Sequence, residues 1–400
     1  MLSAIIKART AVAACCILSA MMLVAGCQST DLGIDSVQGN AGQAVPTPNP
    51  AGEVHGTAGK TRITMMLPKS AAGNGAVVAN EVRNGALLAM KDFGNADMEL
   101  VIKDDTGQAA GAQAAASEAV REGSTAILGP VFAANVTAAA GITLPAGRTM
   151  IAFSTDTSNA RRGVYLLSYT PQEDTRRIIE FTLSRGTRSI IAFLPSNAEG
   201  SVRETVLRQI AGTAGASVQV IRYDRSAASI EEAVKSSAAM MATADTIYIP
   251  EGGEIPNAIA LMFRRNTIDI VGKQILGSGA WESVVFKEAQ LEGALYPGRD
   301  LSRFADFAAR YQATYGNKPN VWAALGYDSI TLSVSLIRTG RPDPFNPQAL
   351  ENPSGFAGIN GIFRLRADGT AERGLAIYQV ERNAGKLVVP APTSFSRSGS

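Results

Sequence analysis

The chain carries a single histidine, His55, and that scarcity settles much of the chemistry it can do. A Ser-His-Asp or Cys-His relay needs an imidazole beside its nucleophile. His55 falls in a stretch, 28–59, that is rich in Gly, Ala, Pro, Ser, Thr, Gln and Asn and shows no apolar period. The three cysteines, Cys15, Cys16 and Cys27, all lie near the start, so the body can build neither a Cys-His metal cluster nor an internal disulfide. The remaining acid–base groups are carboxylates. Asp104-Asp105, Asp156 and Glu251 stand at the ends of segments that read as strands, where a pair could act in hydrolysis. The same positions also suit helix caps and turns. Gly73-Asn74-Gly75 is not a complete dinucleotide fingerprint, and no phosphate-loop motif follows any strand. The expectation is a binding protein with no enzymatic activity and no cofactor.

The start of the chain reads as an export signal. Lys7 and Arg9 precede an apolar stretch over 11–25, which is shorter than the roughly 20 apolar residues of a spanning helix. It ends in Leu23-Val24-Ala25-Gly26-Cys27, which resembles a bacterial lipobox. On that reading 1–26 is a lipoprotein signal peptide and Cys27 is lipidated. Residues 27–60 then form a flexible tether, broken by Pro46, Pro48 and Pro50, with a typical span of ~30 Å. Gln28, rather than Asp, follows the lipobox cysteine; in Gram-negative bacteria this implies an outer-membrane, periplasm-facing location. Without Lys7 and Arg9, the 35 acidic residues are matched one for one by basic ones. That balance gives no electrostatic reason to expect nucleic acid.

Strand and helix patterns alternate over the rest. Strands are expected over 63–67, 100–103, 126–128 and 150–153, with helices over 76–93 and 109–122 and another after Gly129-Pro130. A second run has strands over 189–194, 218–223, 246–249 and 274–276, and helices over 198–212, 230–241 and 255–265. Long helices follow over 301–315 and 322–338. Segments 361–365 and 375–380 read as a hairpin around Ala367-Asp368-Gly369, a strong turn signal. Two runs of this kind predict an α/β fold of two lobes, each a mostly parallel sheet flanked by helices. Ligands of such sheets sit beyond the carboxyl ends of the strands.

Over 62–395 the order of features resembles the Leu/Ile/Val-type periplasmic binding proteins, the type I solute-binding fold. The resemblance is carried by Leu67-Pro68 with Gly75, Asn84-Gly85-Ala86, Lys103-Asp104-Asp105-Thr106, Ile127-Leu128-Gly129-Pro130, Phe153-Ser154-Thr155-Asp156 and Leu325-Gly326-Tyr327-Asp328-Ser329. A narrower resemblance is to the penicillin-binding protein activators, lipoproteins on the same fold. It rests on Val164-Tyr165-Leu166-Leu167, Leu276-Gly277-Ser278-Gly279-Ala280-Trp281, Gly355–Arg364 and Pro390–Phe395. The first family implies two lobes that close on a ligand and three crossings, expected near 170, near 297 and between 340 and 356. Lobe 1 would take about 61–170 and 298–340, and lobe 2 about 171–297 and 356–395. It also implies a small amino-acid-like ligand and an ABC permease as partner. The second implies a peptidoglycan synthase as partner.

For a zwitterionic ligand, Asn135, Ser154 and Thr155 lie on loops that resemble the family's carboxylate-binding positions, where hydroxyls and helix N-termini serve an anion. Glu251 is the candidate acceptor for the ammonium, and Tyr169 is placed to close over the ligand from the hinge. Ser70 is a further contact, although Lys69-Ser70-Ala71-Ala72 departs from the Ser-Gly form of transporters.

Overall fold

The computed structural model describes residues 52–94 and 97–395. Cys27, the signal segment and most of the tether lie outside the described residues. Strand Thr61–Leu67 pairs in parallel with Met98–Asp104 on one side and Ala126–Leu128 on the other. Thr149–Ala152 and Val164–Leu166 extend the sheet, also in parallel. These strands are nearly continuous apolar runs because helices cover both faces. Asn74–Asp92 and Val321–Ile337 pack on one face, Ala109–Arg121 and Ala133–Thr143 on the other. The first two helices meet through reciprocal glycines. A Cβ on Gly85 would land on the Ala323 carbonyl oxygen, and one on Gly326 on that of Val82.

The second sheet runs Ser217–Tyr223, Ser189–Pro195, Thr246–Tyr248, Gln274–Leu276, Leu295–Gly298, all parallel. Two antiparallel strands, Ala376–Glu381 and Ala384–Val389, complete it. Ala227–Met241 and Ile255–Arg265 cover one face, Pro171–Ser184 and Ala198–Thr213 the other. The two expected lobes are therefore present. The chain passes between them at 167–170, at 299–303 and at 374–375.

Three boundaries differ from the sequence reading. Glu53–Gly56, expected as tether, is a strand paired antiparallel to Met98–Asp104. Backbone pairing and an ion pair, not an apolar run, hold it there. The Glu53 carboxylate binds Arg83, which lowers it to about 2, and also hydrogen-bonds His55 at 2.7 Å. His55 thus belongs to the folded body, with Glu53 as its side-chain partner. Second, Gly361–Leu365 pairs with Ala371–Arg373 and with Phe356–Gly358, while Ala376–Glu381 joins the second sheet. The turn at Asp368-Gly369 stands, with Asp368 Oδ1 accepting from the Thr370 amide at 2.9 Å, but the returning strand is shorter than expected. Third, this small sheet buries Phe363, Leu365 and Ala371 in the core of the first lobe, as do Phe345 and Leu350. The third crossing therefore comes later than 340–356, directly after Arg373.

Candidate functional site

In the first lobe the strand-end loops are built around a buried carboxylate. Asp105 Oδ1 accepts from the Gly107 amide at 2.9 Å and from Asn135 Nδ2 at 3.0 Å. Its other oxygen has no hydrogen-bond partner. Burial pushes Asp105 up to about 7, with the two hydrogen bonds opposing. Thr106 adopts a positive φ of 59°, unfavourable for a β-branched residue. Gly75 and Gly107 flank the Phe132 ring, where a Cβ on either would collide with it and with Ala71.

Of the expected anion-binding residues, Asn135 is buried and its amide is committed to Asp105. Ser154 is buried, and its hydroxyl accepts from the Asp156 amide at 3.2 Å. Asp156 in turn caps the 3-10 turn Thr157–Asn159 through the Ser158 amide at 3.0 Å. Thr157 Oγ1 accepts from Gln172 Nε2 at 2.6 Å, which ties this loop to the first helix of the second lobe. Ser70 is exposed, and its backbone amide donates to Asp104 Oδ1 at 3.3 Å.

In the second lobe Glu251 follows strand Thr246–Tyr248 and is buried. Its carboxylate accepts from the Tyr223 hydroxyl and from Arg225 Nε at 2.7 Å. Its carbonyl oxygen accepts from Trp281 Nε1 at 3.0 Å. The Glu251 charge is already compensated, so an incoming ammonium would have to compete with a guanidinium. Ser278, from the expected Gly-Ser-Gly-Ala-Trp segment, donates to the Pro250 carbonyl and shapes this same loop.

The structure brings Thr155 and Tyr169 together. With Ser168, Val321, Trp322 and Leu325 they line a hollow of about 10 Å³. That is room for one water, not for an amino acid. Asn135 and Ser154 stay on neighbouring first-lobe loops, Ser70 lies at the surface, and Glu251 sits in a network local to the second lobe. Three hinge residues were not named as site candidates on sequence: Arg373, Asn360 and Asp328. Arg373 stacks 3.9 Å from the Tyr169 ring centre and donates to the Ser168 carbonyl at 3.1 Å. Burial pushes Asp328 up to about 6, against the pull of Arg373 and the Ile359 amide. Asp328 and Asn360 stand in the quoted family motifs, but nothing in residue type signals that they converge. Among the described residues no group of His, Cys, Asp and Glu could hold a metal ion, and no helix is long and apolar enough to cross a membrane.

A family model described as periplasmic binding protein matches residues 60–386. A search of curated proteins finds no match. Solved structures with the same fold include a branched-chain amino acid ABC transporter periplasmic ligand-binding protein from Burkholderia xenovorans. It is 16% identical with TM-score 0.65, covering 84% of this chain and 97% of that one. An ABC transporter substrate-binding protein from Desulfitobacterium hafniense, in complex with Leu, is 18% identical with TM-score 0.61, covering 82% and 99%. A solute-binding protein of an ABC transporter from Rhodopseudomonas palustris, in complex with 3,4-dihydroxybenzoic acid, is 17% identical with TM-score 0.57, covering 84% and 96%. At these identities the likeness is one of fold.

Proposed function

We propose, on the premise that this chain belongs to the periplasmic binding protein family, that it is an extracytoplasmic lipoprotein holding a small amino-acid-like ligand between its lobes. Members of this family are non-catalytic binding proteins. The observation that carries the ligand reading is the placement of Thr155 and Tyr169, one from a strand-end loop and one from the first crossing, at a single hollow. The hollow is lined by the first lobe and the first crossing, so a ligand would rest there on the first lobe with the second closing over it, and Ser70, Asn135, Ser154 and Glu251 would supply the surrounding polar groups. An ABC permease would be the partner, and acyl chains on Cys27 would hold the protein to a membrane. A thermal-shift screen against amino acids tests this. A ligand at about 100 times its dissociation constant adds about 2.7 kcal/mol of stability. No shift with any amino acid or related acid counts against the carrier reading.

One observation favours a second reading. The Asn135 amide and the Glu251 carboxylate, two groups an amino acid would need, already have Asp105, Tyr223 and Arg225 as partners. This fits a penicillin-binding protein activator, which acts on a peptidoglycan synthase by protein contacts and needs no amino-acid site. A tether of ~30 Å from the outer membrane suits that role better than delivery to an inner-membrane permease. Co-purification of a synthase from solubilised membranes, in the absence of any ligand shift, would select it. Cys27→Ser should release the protein from membranes in either case.

A further inference from the structure

Four polar side chains meet where the chain passes between the lobes. Arg373 ends strand Ala371–Arg373, directly before the third crossing. Its Nε donates to the Ser168 carbonyl on the first crossing at 3.1 Å. Its guanidinium lies 3.9 Å from the ring centre of Tyr169, also on the first crossing, and 5.4 Å from that of Phe363. The Asn360 carbonyl accepts from the Asp300 amide on the second crossing at 3.3 Å. Asp328 comes in from helix Val321–Ile337 and accepts from the Ile359 amide at 2.7 Å. All three crossings are joined around this cluster.

The pairing within it is incomplete. Arg373 Nη2 and Asp328 Oδ2 have no protein partner in hydrogen-bond geometry, and the Asn360 side chain and the Tyr169 hydroxyl face only each other, short of ideal geometry. Yet Asp328, Asn360 and Arg373 are just 1%, 2% and 6% exposed. Buried polar atoms left this way cost stability, so a concentration of them calls for a reason. A set with spare donors and acceptors can exchange partners as its backbones shift, which a saturated network cannot do without breaking bonds. Tyr169 lies on the first crossing and Arg373 directly before the third, while Asp328 and Asn360 belong to the first lobe against which those crossings would turn. We propose that Tyr169, Asp328, Asn360 and Arg373 form a polar latch at the hinge. It fixes the angle between the lobes in the arrangement seen here and re-pairs when that angle changes. The latch does not depend on which ligand or partner the lobes engage.

Hydrogen–deuterium exchange on the full chain, with Arg373→Met and Arg373→Lys beside the unaltered protein, tests the latch. The expected result is exchange roughly tenfold faster at 167–170, 299–303 and 374–376 in both variants, the change that about 1.4 kcal/mol makes in an opening equilibrium. Strands Thr61–Leu67 and Ser189–Pro195 keep their rates, and small-angle X-ray scattering shows a wider spread of lobe separations. Unchanged exchange at the crossings overturns the proposal. So does an equal rise in the two central strands, which would mark general destabilisation. Should Arg373→Met fail to fold, Arg373→Lys decides alone. Lysine keeps the charge but has neither the planar stacking face nor the Nε donor.

Discussion

Arg203 in the second lobe and Arg373 at the hinge are both buried, and they are held in opposite ways. Arg203 reaches the Asp174 carboxylate at 2.5 Å, Glu199 at 2.8 Å, Thr175 Oγ1 at 3.1 Å and the Tyr248 hydroxyl at 3.3 Å. Asp174 also accepts from the Gly279 amide at 3.2 Å, so one guanidinium fastens two helices and a strand-end loop inside one lobe. Arg373 has one backbone carbonyl, two aromatic faces and a carboxylate nearby to which no hydrogen bond is made. Both arginines answer the cost of burying a charge. The first does so by saturating its donors in a body that has no need to move. The second leaves donors open in the segment where motion between the lobes must be absorbed.

The largest effect expected from this difference comes from removing each arginine. Arg203→Met should lower unfolding free energy by about 3–5 kcal/mol, because Asp174 is left as an uncompensated buried charge. Arg373→Met should cost less, about 1–2 kcal/mol: it breaks one hydrogen bond and two stacking contacts, and Asp328, already raised to about 6, meets the loss of the facing charge by taking up a proton. Urea unfolding monitored by circular dichroism measures both. Equal losses would show that the hinge arginine is as firmly bound into the fold as the one in the lobe, and the contrast would fail.

Next comes the pH dependence of the hinge carboxylate. Burial raises Asp328 to about 6 from an ordinary value of 3.8. Between those two values the folded chain holds a proton that the unfolded chain has released, so stability falls as pH rises through this window. Above pH 6 both states are ionised and the loss is complete; below 3.8 both are protonated and it is absent. Asp328→Asn imitates the protonated form and can still accept from the Ile359 amide. It should stabilise the protein at pH 7.5 by on the order of 1–3 kcal/mol, and should change nothing near pH 4. Asp105, raised to about 7, keeps its own contribution in both proteins and cancels from the difference. A variant no more stable than its parent at pH 7.5 would mean that Arg373 already compensates Asp328 in full.

The lobes were legible in the sequence because their cause is local. Runs such as Ile190–Leu194 and the apolar period of 255–265 write burial on both faces of a strand, or one face of a helix, into consecutive residues. Glu53–Gly56 carries no such pattern, since its place depends on backbone pairing and on an ion pair with Arg83, thirty residues away. Gly361–Leu365 announced itself as a strand, but its partner is chosen by packing of Phe363 and Leu365 against the first lobe's core. The site was legible as positions and not as partners. Strand-end Ser154, Thr155 and Glu251 stand where parallel sheets put their loops, whereas the commitment of Glu251 to Arg225 arises between two strands that are not neighbours. Arg373, between Glu372 and Gly374, looks like any solvated arginine. Its burial is a property of the place where three crossings converge.

The smallest effect is also the cleanest comparison, because one substitution serves both regions. The Tyr248 hydroxyl bonds to Thr175 Oγ1 at 2.9 Å and to Arg203 at 3.3 Å, whereas the Tyr169 hydroxyl has no partner in hydrogen-bond geometry. Replacing tyrosine by phenylalanine removes one oxygen and keeps the ring, so packing is preserved at both positions. Tyr248→Phe takes two hydrogen bonds out of a buried network and should cost about 1–2 kcal/mol. Tyr169→Phe removes a buried oxygen whose one neighbour, the Asn360 side chain, sits outside good hydrogen-bond geometry, so its effect should lie within about 0.5 kcal/mol of zero. Paired thermal melts of the two variants under one buffer read the difference. A loss at Tyr169 as large as that at Tyr248 would mean that its hydroxyl holds the resting hinge together through a bond of its own, and the hinge would then be a saturated network like the one around Arg203.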